Sequence, residues 1–256
     1  MKLLVGFFDR LIYKFIGNSH LIETKVNKEN LKKRFYYVKN SKILYVNILG
    51  WHACFSNAFP LKNHLNKKGI SCVMYEFPCG ILSYNSKLTE SNFLKLNKII
   101  KKDIEDYKSR YNFDEIIVSG TSLGGILAFL VSNGNKLVNK LVLIVPGYDL
   151  AESLWFGIVT RKLRKRYEKN NVNLKKLMSL WKSITPYKNF DKLDDKKIFI
   201  FASKSDRVIN FSQVEKLCKE FKKRKYNFKC YFNKFLGHYL TIFFTYRRLI
   251  KKLKFV

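Results

Sequence analysis

Glycine, proline and acidic residues are scarce in this 256-residue chain, which contains 12 glycines, 4 prolines and 19 aspartates and glutamates. No Pro/Ser-rich linker and no internal repeat divides it, so we expect a single domain over residues 1–256. The 5 cysteines are odd in number and lack C-x-x-C spacing. They argue against a disulfide framework and a metal site, and we therefore expect a reducing, cytoplasmic location.

Acidic residues are far outnumbered by 50 lysines and arginines, which give a formal net charge of +31. Lysine is abundant throughout, alongside asparagine, isoleucine, phenylalanine and tyrosine, as is typical of A/T-rich coding bias. No recognisable nucleic-acid-binding motif accompanies the charge, so we expect no specific nucleic-acid partner. The charge still favours a general attraction to anionic surfaces.

Apolar runs long enough to span a membrane are also lacking. Residues 1–16 have apolar side chains at helical spacing, but no small-residue cleavage site follows, so we expect no signal peptide. Residues 240–256 form a basic amphipathic pattern, in which Arg247-Arg248 and Lys251-Lys252 lie between large apolar residues. Both termini are expected to pack on the core, with peripheral contact to a membrane surface as the alternative.

A β-branched apolar run at residues 115–119 stops at a G-x-S-x-G-G segment, and a helical pattern of small residues follows. Such a segment places its serine, here Ser122, on a sharp strand-to-helix turn with the hydroxyl above the sheet edge. The turn is so tight that positions two before and two after the serine must be small, as Gly120 and Gly124 are. We therefore expect Ser122 to be a nucleophile.

At these residues the chain resembles the α/β-hydrolase superfamily, and the resemblance covers most of its length. That superfamily orders its triad along the chain as serine, acid and histidine. Asp206 lies just past the apolar run 197–203, and His238 follows the run 226–235, where the family has its acid and base. Ligands bind at the carboxyl edge of open α/β sheets. The resemblance thus implies a triad of Ser122, His238 and Asp206.

Other residues compete for the acid and base roles. Asp149, just past the run 141–145, is the main alternative acid, and Asp194-Asp195 is a further one. Taken alone, Asp206 also fits a turn residue. His52 lies beside the expected oxyanion loop, where it would contact substrate or be satisfied within the loop. The two remaining histidines, predicted to be structural or exposed, are His20 and His64.

The apolar run 43–49 leads into Gly50-Trp51-His52-Ala53, where the family has an H-G-x-type oxyanion loop. Leu49 replaces the histidine that usually precedes this glycine, a departure that leaves the backbone donors in place. The resemblance implies that the N–H groups of Trp51 and Leu123 form the oxyanion hole. Residues 75–83 are similar to a degenerate D-x-P-G-x-G-x-S loop of the family, with two positions off the pattern.

Continuous rather than alternating apolar strands predict an α/β fold with a mostly parallel central sheet flanked by helices, as the resemblance also implies. Strands are expected near 34–39, 43–49, 70–77, 115–119, 141–146, 197–203 and 228–235, and helices near 58–68, 90–110, 122–133, 211–225 and 239–253. The turn-prone Asn40-Ser41 predicts an antiparallel hairpin between the first two strands. Residues 148–190 are expected to insert as a small helical lid. Its apolar residues are expected to pack the lid onto the core, with an acyl-binding wall as the alternative role.

The predicted function is a serine hydrolase, carboxylesterase- or lipase-like, that cleaves an acyl ester or thioester through an acyl-enzyme intermediate without cofactor or metal. The residue on the sharp strand-to-helix turn is serine rather than aspartate, which argues against the haloalkane dehalogenase and epoxide hydrolase branches of the superfamily. The alternative is a non-catalytic hydrolase-fold protein that binds a ligand, a partner or a membrane surface. Loss of the oxyanion-loop histidine favours that alternative, and the ordered triad opposes it.

Overall fold

The computed structural model describes residues 25–27 and 30–253. Its strands are β1 Lys32–Tyr36, β2 Ile43–Ile48, β3 Ser71–Glu76, β4 Glu115–Thr121, β5 Lys140–Ile144, β6 Lys197–Ser203 and β7 Phe228–Asn233. They form one seven-stranded sheet in the order β1-β3-β2-β4-β5-β6-β7. All neighbours pair in parallel except β1, which is antiparallel to β3. The predicted fold class is therefore confirmed.

The hairpin predicted between the first two strands is wrong. Strand β1 is antiparallel, but its partner is β3, with Lys32 opposite Glu76, and β2 lies on the far side of β3. The turn at Asn40 does exist, with a φ of 61°. The sequence K-K-R-F-Y gives β1 a largely exposed surface that suits a sheet edge, whereas β2 is apolar and almost wholly buried. Burial on both faces favours parallel neighbours on either side of β2.

Helices cover both faces of the sheet. They are α1 Phe59–Lys67, α2 Ser86–Tyr111, α3 Leu123–Ser132, α4 Leu150–Phe156, α5 Arg161–Lys169, α6 Leu174–Leu180, α7 Phe211–Lys223 and α8 Gly237–Leu253. Apolar residues of α2, α3 and α7 form one core cluster, and those of α1 and α8 form a second. In β5, Leu141 and Leu143 belong to the first cluster and Val142 and Ile144 to the second, as alternation along a strand requires.

The C-terminal amphipathic pattern forms α8, whose Tyr246, Leu249 and Leu253 are buried in the second cluster. The pattern predicted for residues 1–16 lies outside the described residues. Across the part of the chain that the structure describes, no helix combines the length and apolar character needed to cross a bilayer.

Residues 148–190, here called the cap segment, contain α4, α5 and α6 and two short 3-10 turns at Lys182–Ile184 and Pro186–Lys188. The segment is anchored by buried side chains, among them Leu163, Tyr167 and Trp181. The Trp181 indole donates a hydrogen bond to the Ser86 carbonyl at the start of α2, at 2.9 Å. This contact joins the cap segment to the helices on one face of the sheet.

Two cysteines meet in a way that their spacing did not predict. The Sγ atoms of Cys218 on α7 and Cys230 on β7 lie 3.1 Å apart as hydrogen-bonded thiols. This hydrogen bond, together with burial, raises the pKa of Cys218, and the same bond lowers the pKa of Cys230. The contact packs α7 against the strand that leads to His238.

A buried hydrogen bond of 2.8 Å joins the Tyr246 hydroxyl on α8 to Thr121 Oγ1 at the end of β4. We expect Tyr246→Phe to lower the free energy of unfolding by about 1–2 kcal/mol, because the Thr121 hydroxyl would stay buried without its partner. Urea unfolding measures the change. Tyr37→Phe is the matched control, since Tyr37 is 48% exposed and should change stability little. Equal effects of both substitutions would contradict the role of this hydrogen bond.

Candidate active site

Ser122 lies between β4 and α3 in a conformation that a serine rarely adopts, with φ 54° and ψ −118°. Two backbone hydrogen bonds hold it there: Ser122 N–H donates to Ile144 O at 2.8 Å, and Gly125 N–H donates to Ser122 O at 2.9 Å. Strand β4 therefore delivers the serine to the carboxyl edge of the sheet, where α3 begins. Non-glycine residues with positive φ concentrate at functional sites, because the surrounding structure must hold the strain.

The glycines around Ser122 are required by close backbone approach. A Cβ on Gly120 would overlap the carbonyl oxygen of Gly124 and lie 2.6 Å from Ala128 Cβ. A Cβ on Gly124 would overlap the carbonyl oxygens of Ile48 and Leu49. The tightness expected from the G-x-S-x-G segment is thus a property of the packing between α3 and strands β2 and β4.

Asp206 and His238 meet directly. The His238 Nδ1–H donates to Asp206 Oδ2 at 2.7 Å, and both side chains are only 3% exposed. The other carboxylate oxygen accepts from the backbone N–H groups of Val208 at 2.8 Å and Ile209 at 3.0 Å. These bonds fix the orientation of the carboxylate and, through it, that of the imidazole ring. Exclusion of water strengthens this charge-assisted hydrogen bond.

The backbone just before His238 is held by serines that the sequence reasoning missed. Gly237 N–H donates to the hydroxyls of Ser203 and Ser205, each at 3.1 Å, and Gly237 has a φ of 64°. Asn233 Oδ1 accepts from the Leu236 N–H in the same loop, at 2.9 Å. The signal available in the sequence was a Ser-x-Ser pair directly before Asp206, at the end of a predicted strand.

Asp149 has a different role from the one considered for it. Its carboxylate caps α4 by accepting from the Glu152 N–H at 3.0 Å, and the residue is buried. Burial raises the pKa of Asp149. Asp195 forms an ion pair with the buried Lys196 at 2.7 Å, so the second alternative acid is also accounted for. The structure therefore places Asp206, rather than either competitor, on His238.

Among the described histidines, the hydrogen bond to Asp206 is made by His238. His64 is exposed near the end of α1, and His20 lies outside the described residues. His52 borders the same cavity as Ser122, with a φ of 60° and its ring centroid 4.2 Å from that of Trp51. The carboxylate of Asp206 is bonded to His238 and not to this ring.

The loop after β2 lies against the serine turn. A Cβ on Gly50 would lie 3.3 Å from Thr121 O and 3.5 Å from Ser122 Cβ, which shows how close the two segments are. Trp51 follows directly, in a turn closed by Ala53 N–H donating to Gly50 O at 3.1 Å. Leu123 is the first residue of α3, and the N–H groups of a first helical turn have no intrahelical acceptor. Trp51 and Leu123 thus both lie close to Ser122 and border the same cavity.

Ser122 and His238 line one cavity of about 600 Å³, together with Trp51 and Leu123. Its other walls are mainly apolar: Leu49, Leu82, Ile126, Leu150, Leu154, Val159, Val208, Ile209, Ile242 and Phe243. Among the described residues that line it, none is an aspartate, glutamate, lysine or arginine. No hydrogen bond joins the Ser122 hydroxyl to His238 in the described structure, although both face this space. The described ranges also contain no group of three or more His, Cys, Asp or Glu side chains arranged to hold a metal ion.

A mostly parallel sheet flanked by helices, with a serine on the turn after its central strand, defines an α/β-hydrolase. The family model described as Prolyl oligopeptidase family (Peptidase_S9) matches residues 103–254, more than half of the chain, and the chain therefore belongs to that family. The matched segment includes Ser122, Asp206 and His238. The class is that of serine hydrolases acting on ester or peptide bonds.

Solved structures with a similar fold include two esterases. The Thermogutta terrifontis esterase 2 with butyrate bound has a TM-score of 0.63 and 14% identity, over 91% of this chain and 93% of that chain. A Pyrococcus furiosus esterase has a TM-score of 0.61 and 15% identity, over 92% and 90%. A puromycin-hydrolyzing peptidase of Mycobacterium tuberculosis has a TM-score of 0.59 and 9% identity, over 84% of this chain and 36% of that chain. At these low identities, the TM-scores show a shared fold and no more. No curated protein matches the chain significantly.

Proposed function

We propose that the chain hydrolyses acyl esters, with Ser122 as nucleophile, His238 as general base and Asp206 as the acid that orients it. The observation that carries this proposal is the buried 2.7 Å hydrogen bond between Asp206 and His238, at the wall of the cavity that Ser122 also lines. A base oriented by a carboxylate and facing a serine is the arrangement that nucleophilic acyl transfer needs.

In the first half of the reaction, His238 Nε2 takes the proton of the Ser122 hydroxyl as Oγ attacks the ester carbonyl carbon. Asp206 keeps the proton on Nδ1, which leaves Nε2 free to accept, and stabilises the imidazolium that forms. The Ser122–His238 hydrogen bond is expected to form with bound substrate, since such contacts tighten on going from the free enzyme to the complex.

The tetrahedral intermediate carries a negative oxygen. In this proposal the backbone N–H groups of Trp51 and Leu123 donate to that oxygen, and each donor of this kind contributes about 2.7–4 kcal/mol. The imidazolium then protonates the leaving alcohol, and the acyl group remains on Ser122. Water, activated by the same imidazole, releases the acid and restores the serine. A thioester would react by the same steps with a thiol as leaving group.

The cavity supports a neutral, apolar acyl group. Its described lining lacks charged carboxylate, ammonium and guanidinium side chains, so a charged substrate group would lose its hydration without gaining a partner. The cap segment supplies Leu150, Leu154 and Val159 to this lining, and we propose that it closes one side of the acyl site as a lid. The Thermogutta terrifontis esterase is described with butyrate bound, a ligand that contains a short alkyl chain.

Peptide hydrolysis is the second candidate, favoured by membership of the prolyl oligopeptidase family. The two functions share the nucleophile and differ in the leaving group and in the contacts that the flanking chain requires. A peptide substrate would present backbone N–H and C=O groups to a mainly apolar lining, where they would need partners. The lining therefore favours the ester over the peptide.

The proposal is tested with purified full-length chain and two measurements. A fluorophosphonate probe should label Ser122, identified by peptide mass mapping, and labelling should be lost in His238→Ala. In parallel, a neutral p-nitrophenyl acyl ester should be hydrolysed with a much higher kcat/KM than each of a set of internally quenched peptides, measured one at a time. The absence of labelling in correctly folded protein would disprove the enzyme and leave the non-catalytic alternative. Peptide hydrolysis at or above the ester rate would instead establish the second candidate.

The choice of acid is tested by a matched pair of substitutions. We expect Asp206→Asn to lower kcat about 10⁴-fold, because the amide no longer favours the imidazole tautomer that accepts the serine proton. Asp149→Asn should retain activity, since asparagine also caps helices and Asp149 has no contact with His238. Ester hydrolysis at neutral pH measures both variants. A larger loss in Asp149→Asn than in Asp206→Asn would reverse the assignment.

A further inference from the structure

Large apolar side chains are exposed on the cap segment and on α8, two parts of the chain that contribute residues to the cavity lining. Phe156 at the end of α4 is 63% exposed, and Ile158 in the following loop is 37% exposed. On α8, Phe243 is 40% exposed and lines the cavity wall as well. We call Phe156, Ile158 and Phe243 the rim surface.

The members of the rim surface lie on one continuous part of the molecule. Val159, next to Ile158, packs in a small cluster with Val208 and with Tyr239 on the first turn of α8. Tyr239 and Phe243 are four residues apart, so they lie on the same side of that helix. The cap segment and α8 therefore meet at this cluster, with exposed apolar side chains on either side of it.

Exposed cations follow the rim residues along the chain on α5, and one stacks on Phe243 of α8. Helix α5, which begins just after Ile158, has the sequence R-K-L-R-K-R-Y-E-K, with its apolar Leu163 and Tyr167 buried. Its exposed cations are Arg161, Lys162, Lys165 and Lys169. On α8, the Arg247 guanidinium stacks over the Phe243 ring at 4.5 Å from its centroid. The only acid of α5, Glu168, forms an ion pair with Arg164 at 3.5 Å.

We infer that the rim surface binds an anionic lipid bilayer, with its apolar side chains among the headgroups and the surrounding cations on lipid phosphates. Phenyl and aliphatic side chains flanked by lysine and arginine are the combination that interfacial binding uses. The net charge of +31 adds long-range attraction to the same partner. A nucleic acid would use the cations but would gain little from the aliphatic Ile158.

This orientation would place the mouth of the cavity at the lipid surface, so that an acyl chain enters it without crossing water. That use of the surface rests on the proposed function, whereas bilayer binding itself does not require the reaction. The two are separable, because Ser122→Ala should bind vesicles as tightly as the parent chain while losing hydrolysis.

The experiment is co-sedimentation of the full chain with vesicles of phosphatidylcholine alone or mixed with phosphatidylglycerol. We expect binding to the anionic vesicles, weakened about tenfold or more in the double variant Phe156→Ser/Ile158→Ser. These substitutions keep the charge, so a loss reports the apolar contact. Neither residue lines the cavity, and hydrolysis of a water-soluble ester should therefore persist in this variant.

The matched control is Leu94→Ser on α2. Leu94 is 44% exposed and borders Lys95 and Lys98, so it combines an exposed apolar side chain with neighbouring cations at a different place. The Leu94→Ser variant should bind anionic vesicles as tightly as the unsubstituted chain does. Equal loss in both variants, or no loss in the rim variant, would overturn the inference in favour of unspecific electrostatic attraction. An unchanged thermal unfolding midpoint in each variant verifies that the fold is intact.

Three further outcomes bear on the inference. Blue-shifted tryptophan fluorescence on vesicle binding, lost in Trp155→Phe, would support insertion of the rim, because Trp155 adjoins Phe156. Preferential binding of single-stranded RNA, lost in the rim variant, would overturn it and assign the surface to nucleic acid. A change from dimer to monomer in the rim variant without any change in vesicle binding would overturn it and assign the surface to a second copy of the chain.

Discussion

Replacing Ser122 by alanine is expected to lower kcat for ester hydrolysis by about 10⁴- to 10⁶-fold, the range typical of removing a nucleophile from a triad. The variant should fold normally, because Ser122 makes its structural contacts through backbone atoms that alanine retains. Active-site labelling by the fluorophosphonate should disappear in parallel. Initial rates with a p-nitrophenyl ester, corrected for the uncatalysed reaction, measure the effect.

Two further variants make this result specific. Ser153→Ala removes another serine hydroxyl from the same cavity, one that donates to the Asp149 carbonyl at 2.7 Å, and should change kcat by less than about tenfold. The double variant Ser122→Ala/His238→Ala should lose little more than either single variant, because the two groups act as a unit. Additive losses would mean that Ser122 and His238 act independently and would contradict the proposed mechanism.

Gly124→Ala is expected to lower the free energy of unfolding by about 4 kcal/mol or more, which places it among the severe single substitutions. The added methyl would overlap the carbonyl oxygens of Ile48, the last residue of β2, and of Leu49, which directly follows it; both residues are buried in the core. Neither backbone segment can move without disturbing the pairing of β2 with β3 and β4. Urea unfolding, or the soluble yield where the variant does not fold, measures the effect.

The adjacent Gly125→Ala is the control. Its Cβ would lie 3.3 Å from Pro146 Cβ and 3.4 Å from Gly120 O, close contacts that small shifts can relieve. Alanine also has a helix propensity about 1 kcal/mol better than glycine, so the net change should be near zero. If Gly125→Ala proved as damaging as Gly124→Ala, the loss would reflect α3 in general rather than its approach to β2.

The loop after β2, which we propose contributes to the oxyanion hole, departs from the family pattern at a position that the core explains. Leu49, in the position of the usual histidine, is buried in the second core cluster, and its N–H donates to Tyr75 O at 3.0 Å. The backbone of the loop is thus held by strand β3 and by packing, without a histidine side chain. The sequence shows that the usual histidine is absent. Only the folded structure shows that packing of Leu49 and its hydrogen bond to Tyr75 O hold the loop instead.

The sequence by itself determined the serine turn and the parallel sheet. The turn depends on the small size of the residues at positions 120 and 124, and this requirement can be read from the local sequence alone. Parallel pairing was readable because strands buried on both faces are continuously apolar, as β4 and β5 are. These properties need no knowledge of distant partners.

Only the tertiary structure decided which acid lies on His238 and which strand pairs with β1. Asp149 and Asp206 both follow strand ends, but β6 adjoins β7, which leads to His238, whereas β5 is one strand further away. The Asp149 carboxylate caps α4 instead, by accepting from the Glu152 N–H. The turn at Asn40 could not reveal that β1 pairs with β3. The lateral order of strands in a sheet depends on contacts between distant parts of the chain, which a local turn signal does not contain. The order of residues along the chain therefore predicted Asp206 and His238 as acid and base. Only the folded structure showed that Asp206, and not Asp149, contacts His238.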